Sequence, residues 1–269
     1  MTETPDSSPI RDRFRIRFAK TGLLRWIGHR DLQRLWERML RRSGIRLSMT
    51  EGFHPKPRIS FPSALALGVE GLDEVVEIEL AESIPAPTLR QRLIDDQQPG
   101  LEIGEVRLVA QAANPNSPTD TATANPAPQP GKAKLHSSVL EVSIPPAFVA
   151  EVLALAEIDE AVDAAKRAGE LTVERKGKTV SAEIATAIPV LQRRDHTLHL
   201  TLVDAAGATL KPTDVLEAIG LQRLIEYGGV IRRTRVILVD EIESRPPSYP
   251  VVMTDPTHNL PENPFKERI

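Results

Sequence analysis

From Arg13 to Phe18 the chain alternates arginine with apolar residues (Arg13, Phe14, Arg15, Ile16, Arg17, Phe18). That period of two predicts a strand buried on one face, with an arginine row on the other. A turn at Lys20-Thr21-Gly22 and an apolar link from Leu23 to Ile27 follow, and then the period changes. Leu32, Leu35, Trp36, Met39 and Leu40 recur at three- and four-residue steps, which predicts an amphipathic helix from His29 to Ser43. An advance of about 100° per residue sets Arg30, Arg34, Arg38, Arg41 and Arg42 on the opposite side. Ser43-Gly44 supplies the stop, because glycine takes the left-handed conformation that ends helices. Beyond it the pattern predicts a short strand from Arg46 to Met49, an irregular or edge strand from Ile59 to Leu67 broken by Pro62, and a strand from Glu74 to Leu80 after a turn at Gly68 to Gly71. A helix from Pro85 to Gln97, with Leu89, Leu93 and Ile94 inward, and a strand from Leu101 to Val109 complete this half. Strand, helix, strand, strand, helix, strand is the split βαβ, or ferredoxin-like, order.

Residues 111–134 contain no large apolar side chain until the next strand and are rich in Pro, Ala, Asn and Thr, so they read as a linker. The pattern then resumes. Leu135 to Ile144 is a strand; Pro145 to Ala168 is one helix or two, with Val149, Val152, Leu153, Leu155, Ala156 and Ile158 inward. Leu171 to Arg175 and Thr179 to Ile184 form a hairpin about Lys176-Gly177-Lys178. Strands from Ile188 to Leu191, Thr197 to Val203 and Val230 to Val239 follow, with a helix from Lys211 to Ile219 before the last. The expected fold class is therefore α+β, two tandem ferredoxin-like halves with antiparallel sheets. The expected divisions are a disordered lead over 1–10, a basic domain over 11–110, the linker, a second domain over 135–240 and a disordered tail over 241–269.

Charge sharpens the picture of the first half. Between Arg11 and Ser60 lie fourteen Lys or Arg and four acids, about ten net positive charges in a chain whose total is -3. A basic pole on an acidic remainder presents a directed field to a polyanion, most commonly nucleic acid. The absence of cysteine excludes disulfides, thiol nucleophiles and any cluster held by this chain's thiolates, so no cofactor is expected here. No run approaches the roughly 18 apolar residues of a membrane span, so the expected setting is cytoplasmic, without membrane contact.

The candidate chemistry collects in the same stretch. In Glu51-Gly52-Phe53-His54-Pro55-Lys56-Pro57-Arg58 the prolines exclude helix and deprive a sheet of two donors, leaving a stiff loop. Phe53 offers a stacking surface, and His54, Lys56 and Arg58 offer donors to phosphate, a mixture suited to single-stranded nucleic acid. Trp26 is a second stacking candidate, and Arg25 adds a further cation. His29 and His54, with Asp31 or Glu51, are the candidates for an acid–base pair. His29-Arg30-Asp31 spells a kinase-loop triplet, but Leu35 stands where that loop needs Asn. Walker, GxGxxG, HExxH and GxSxG motifs do not occur, and no metal site is expected.

TGLLRWIGHRDLQRLWERMLRRSGI, then EGFHPKPRISFPSALALGVEG and DEVVEIEL, resemble the radical SAM-linked protein family, the DUF2344 type, over residues 13 to 110. Glu183-Ile184-Ala185 and Lys211-Pro212 stand where the family has Asp-Ile-Arg and Arg-Pro pairs. The resemblance implies a domain fused behind, or encoded beside, a radical SAM enzyme; without cysteines this chain would be the linked domain alone. Charge and resemblance together lead to the expectation of an RNA-binding accessory module that delivers RNA to a radical SAM partner. Its expected contacts are Arg13, Arg15, Arg17, Arg25, Arg30, Arg34, Arg38, Arg41, Phe53, His54, Lys56 and Arg58. The alternatives are an adaptor docked on that partner, and a metal-independent RNA-processing enzyme using His29 or His54.

Overall fold

The β-alternation at the start of the chain forms β1 (Asp12–Lys20), and the heptad-like run after it forms α1 (His29–Arg42). The computed structural model describes residues 11–110, 131–175, 177–204 and 210–243. The expected lead, most of the linker and most of the tail lie outside these residues. All five residues of the apolar stripe on α1 are buried, and Gly44 closes the helix at φ +68°. Its N–H and that of Ile45 reach back to the carbonyls of Arg41 and Leu40, so the last turn is satisfied and Ile45 drops into the core.

The rest of the first half comprises β2 (Ile59–Ser60), β3 (Glu70–Leu80), α2 (Ala86–Asp95) and β4 (Leu101–Ala110). The link from Gly22 to Trp26 is a 3-10 turn. The expected strand from Arg46 to Met49 is reduced to isolated bridges at Leu47 and Met49, and the edge strand to two residues, because Pro57 and Pro62 withhold donors on either side. α1 and α2 share one face of the sheet, where Trp36, Met39, Leu89 and Leu93 pack against Phe14, Ile16, Ile78 and Leu101.

The second half contains β5 (Leu135–Ser143), α3 (Pro146–Glu151), α4 (Leu155–Ala168), a hairpin of β6 (Glu170–Arg175) and β7 (Lys178–Glu183), and α5 (Ile184–Ala187). Then come β8 (Val190–Arg194), β9 (Thr197–Val203), α6 (Pro212–Ala218), β10 (Ile231–Leu238) and α7 (Val239–Glu243). Phe148 and Val162 take core positions, whereas Ala156, expected inward, is exposed. The break between α3 and α4 resets the phase of the longer pattern, and Ala156, the second residue of α4, falls on its exposed side.

The fold is mixed α+β with one large, mostly antiparallel sheet. Its strand order is β4-β1-β3-β10-β5-β9-β8, with β2 also beside β3, and β6-β7 forms a separate ribbon. The strands of both halves thus join one sheet where two were expected. The join is the parallel pairing of Arg232 and Arg233 in β10 with Glu70 and Gly71 in β3. β3 has a free edge there because its other partner on that side, β2, covers only Glu77 and Ile78. An unpaired edge strand is a standing template for another strand, and β10 fills it.

Candidate nucleic-acid interface

α1 sorts its side chains as its periodicity dictates. The polar flank carries Arg30, Arg34, Arg38, Arg41 and Arg42, all exposed. Successive members from Arg30 to Arg41 are three or four residues apart, so their backbone positions are about 4.5 to 6 Å from one another along the axis. Arg34 lies 3.4 Å from Asp31 one turn back, and Arg42 makes a two-oxygen contact with Asp96 at 3.0 and 3.1 Å. Among the described residues no acid pairs with Arg30, Arg38 or Arg41. Three cations on one helical face are left to the solvent or to a ligand.

The loop after the helix is a stapled arm. Thr50 N–H donates to the Lys56 carbonyl at 2.8 Å, Lys56 N–H donates to Thr50 Oγ1 at 2.9 Å, and Arg58 N–H donates to the Ser48 carbonyl at 2.9 Å. Ser48 and Glu79 then tie the arm to β3, and the Arg58 guanidinium folds back onto the Met49 carbonyl. Gly52 at φ +117° turns the tip, where Glu51 pairs with Arg11 at 2.8 Å. The outcome is a fixed tip on which Phe53 is 102% exposed, with His54 and Lys56 exposed beside it. No acid pairs with Lys56 among the described residues, whereas Arg58 lies 3.6 Å from Glu79. The prolines account for the stiffness, and burial does not account for Phe53.

The arginine row of β1 is a correction to the expected contact set. Arg15 is 2% exposed: Nε and Nη2 donate to Glu77 Oε1 at 3.0 and 2.8 Å, and Nη2 donates to Asp240 Oδ2 at 2.7 Å. Arg17 donates to Asp73 at 2.6 Å and to Glu241, and Arg13 to Glu79 at 3.1 Å. Residues 131–133 and α7 cover this face, with Arg13 donating to the Gly131 carbonyl and Ala133 N–H to Glu77. Burial alone would lower the Arg15 pKa, but the Asp240 and Glu77 hydrogen bonds outweigh it and hold the guanidinium above its ordinary value. Asp240 is pulled below the usual carboxylate range: its burial opposes this, and the Arg15 hydrogen bond and charge prevail. Arg13, Arg15 and Arg17 therefore serve an interior charge layer and do not face a ligand. Glu77 and Glu79, on the same alternation of β3, were the sequence signal for it.

Arg25 stands apart from both groups. It lies 3.5 Å from Glu70, and its guanidinium sits 5.0 Å above the Trp26 ring. Trp26 is itself exposed, with Leu23 and Leu67 exposed as well, and its ring rests against Gly68. The structure thus leaves Arg30, Arg34, Arg38, Arg41, Phe53, His54 and Lys56 open, with Arg25 and Arg58 half-buried.

A family model described as "Uncharacterized protein conserved in bacteria (DUF2344)" matches residues 13–212. The chain belongs to the DUF2344 family. No curated protein matches it. One solved structure it is similar to is described as "Crystal Structure of an Unknown Protein from Galdieria sulphuraria", with 13% identity, 85% of this chain and 99% of that chain covered, and a TM-score of 0.24.

In this DUF2344 chain the two histidines do not form a pair. His29 opens α1 and packs edge-on to Phe61 with ring centroids 5.2 Å apart, and its Nδ1 is buried with no hydrogen-bond partner among the described residues. His54 stands on the exposed tip of the arm, and no hydrogen bond or ring contact joins it to His29 among the described residues. Asp31 is engaged by Arg34. No group of three or more His, Asp or Glu that could hold a metal occurs among the described residues. No helix there is long and apolar enough to cross a membrane. Ala185 lies in α5 and Lys211 precedes α6, where Asp214 reaches back to the Lys211 N–H at 2.6 Å.

Proposed function

We propose that this protein is an RNA-binding accessory module that works with a separate radical SAM protein, and that it grips RNA with the exposed side of α1 and the tip of the 50–58 arm. The observation that carries this reading is the exposed arginine face of α1, on which Arg30, Arg38 and Arg41 have no acidic partner among the described residues. Spaced guanidinium groups on a rigid helix suit a chain of phosphates, and an exposed ring on a braced tip suits an unstacked base. The radical SAM partner enters through the sequence resemblance alone. The strand order within each half (last, first, third, second) is the order of the ferredoxin-like motif, and supports reading the chain as two such units fused through β3 and β10.

The test is recovery of RNA from the native host with the full chain at low salt, repeated with Arg34, Arg38 and Lys56 changed to Glu. Enrichment of one RNA class, lost in the triple variant, is the expected result. Recovery of protein without RNA would transfer the reading to an adaptor, for which the exposed cluster of Leu23, Trp26 and Leu67 is the specific observation. Tryptophan and arginine presented together at a surface, here Trp26 under the Arg25 guanidinium, resemble the anchors of protein interfaces. On that reading Trp26→Ala would release the partner and leave RNA unaffected.

A further inference from the structure

The segment between β2 and β3 belongs to the first half by sequence, yet Leu65 and Val69 are buried within the core of the second half. Where it crosses, the two surfaces do not close completely. A cavity of about 450 Å3 remains between Ser63 to Val69 on one side and β5, β9 and the start of α6 on the other. This lies within the span of roughly 300 to 1,000 Å3 typical of small-molecule sites, and a seam between structural units is a common place for one.

The chemistry of the walls narrows the occupant. Leu65, Val69, Leu140, Leu202, Leu210 and Pro212 supply branched and cyclic aliphatic surface from both halves. Among the described residues no aromatic ring lines the cavity, so a flat base or cofactor ring has nothing to stack on. The polar groups are few. The buried Ser138 lines one wall; Arg233 is fixed by Glu74 at 2.7 Å and by Ser63 Oγ at 2.8 Å; Arg175 is held by Asp214. Asp204 is the one carboxylate of the lining among the described residues. Lys211 is the exposed cation of the set, and no acid pairs with its ammonium among the described residues.

We infer that this seam cavity is a binding site for a small aliphatic carboxylate, its chain held between Leu65, Val69, Leu140 and Leu202 and its head at Lys211. The apolar body gains by leaving water, and the ammonium gives the head a charge-assisted hydrogen bond at the solvent end. The inference stands apart from the RNA reading, because it uses none of the α1 or arm residues.

Calorimetric titration of the full chain with octanoate, octylamine and octanol tests it. Octanoate is expected to bind with one site per chain and more tightly than either of the others. Lys211→Glu is expected to weaken octanoate by about tenfold and to erase its advantage over octylamine. Ala64→Trp, a substitution at an exposed position of the lining, is expected to fill the cavity and abolish binding, while circular dichroism checks that the fold is retained. The proposal is overturned if octanoate does not bind, if the three probes bind alike, or if neither substitution changes octanoate affinity.

Discussion

Arg15 and Phe53 are both unusual for their type, one buried and one bare, and they mark the two kinds of work that side chains do here. A guanidinium at 2% exposure is tolerated because Glu77 and Asp240 occupy its donors. Removing Glu77 leaves the buried guanidinium with only part of its compensation, from Asp240, in a poorly solvated layer. Glu77→Ala is therefore expected to cost about 3 to 5 kcal/mol in urea unfolding, whereas Arg15→Met combined with Glu77→Leu should cost less, since the two buried charges leave together and Asp240, which loses its Arg15 bond, is about half exposed. Equal losses in the two variants would show that the pair contributes net stability. Phe53 gives the opposite expectation. It touches no core, so Phe53→Ser should leave the unfolding free energy within about 0.5 kcal/mol of the parent. Affinity for single-stranded RNA should nonetheless fall by the roughly 1 to 3 kcal/mol that one base–aromatic stack contributes. Unchanged affinity would remove the stacking role.

At the scale of elements, α1 and α7 carry opposite charge to opposite ends of the same question. If α1 binds phosphates, Arg38→Glu with Arg41→Glu should weaken RNA binding and flatten the dependence of log K on log salt by about 0.7 for each phosphate no longer neutralised. A variant with lower affinity and an unchanged slope would mean that these arginines act otherwise. α7 is tied to β1 through Asp240, whose folded pKa lies below its ordinary value. A depressed carboxylate contributes stability that is present above the unfolded value, about 3.9, and is lost as pH falls through the folded one. Asp240→Asn should accordingly be less stable than the parent at neutral pH, with the difference disappearing in acid; a difference that persists there would assign α7 docking to packing instead. This is also where sequence legibility divides. α1 was readable to within a residue because its periodicity is local: Leu32, Leu35, Trp36, Met39 and Leu40 name the buried face and the arginines name the other. The destiny of the β1 arginines was not, because their partners come from β3 and from α7, the latter more than 200 residues away. Alternation says that a strand has two faces, and it does not say what will cover the second.

For the whole molecule the decisive feature is the seam. Local patterns give the succession of strands and helices, but no local pattern announces that β10 of one half will pair with β3 of the other over only two residue pairs. So short a join needs support from side chains. Arg233 reaches Glu74 at 2.7 Å, both nearly buried, and Arg232 reaches Glu70 at 2.8 Å. Leu65 and Val69 add apolar contact by entering the second core. If these contacts couple the halves, the parent should unfold in one cooperative step. Both tryptophans, Trp26 and Trp36, lie in the first half, so their fluorescence reports that half alone, while far-ultraviolet circular dichroism reports both. In the parent the two urea curves should coincide. In Glu74→Ala, which strands the buried Arg233 and loosens the join, stability should fall by about 3 to 5 kcal/mol and the curves should separate into two transitions. Coincident curves in the variant would mean that the apolar contacts of Leu65 and Val69 suffice to make the two halves one folding unit. The charge pair would then align the join without holding it.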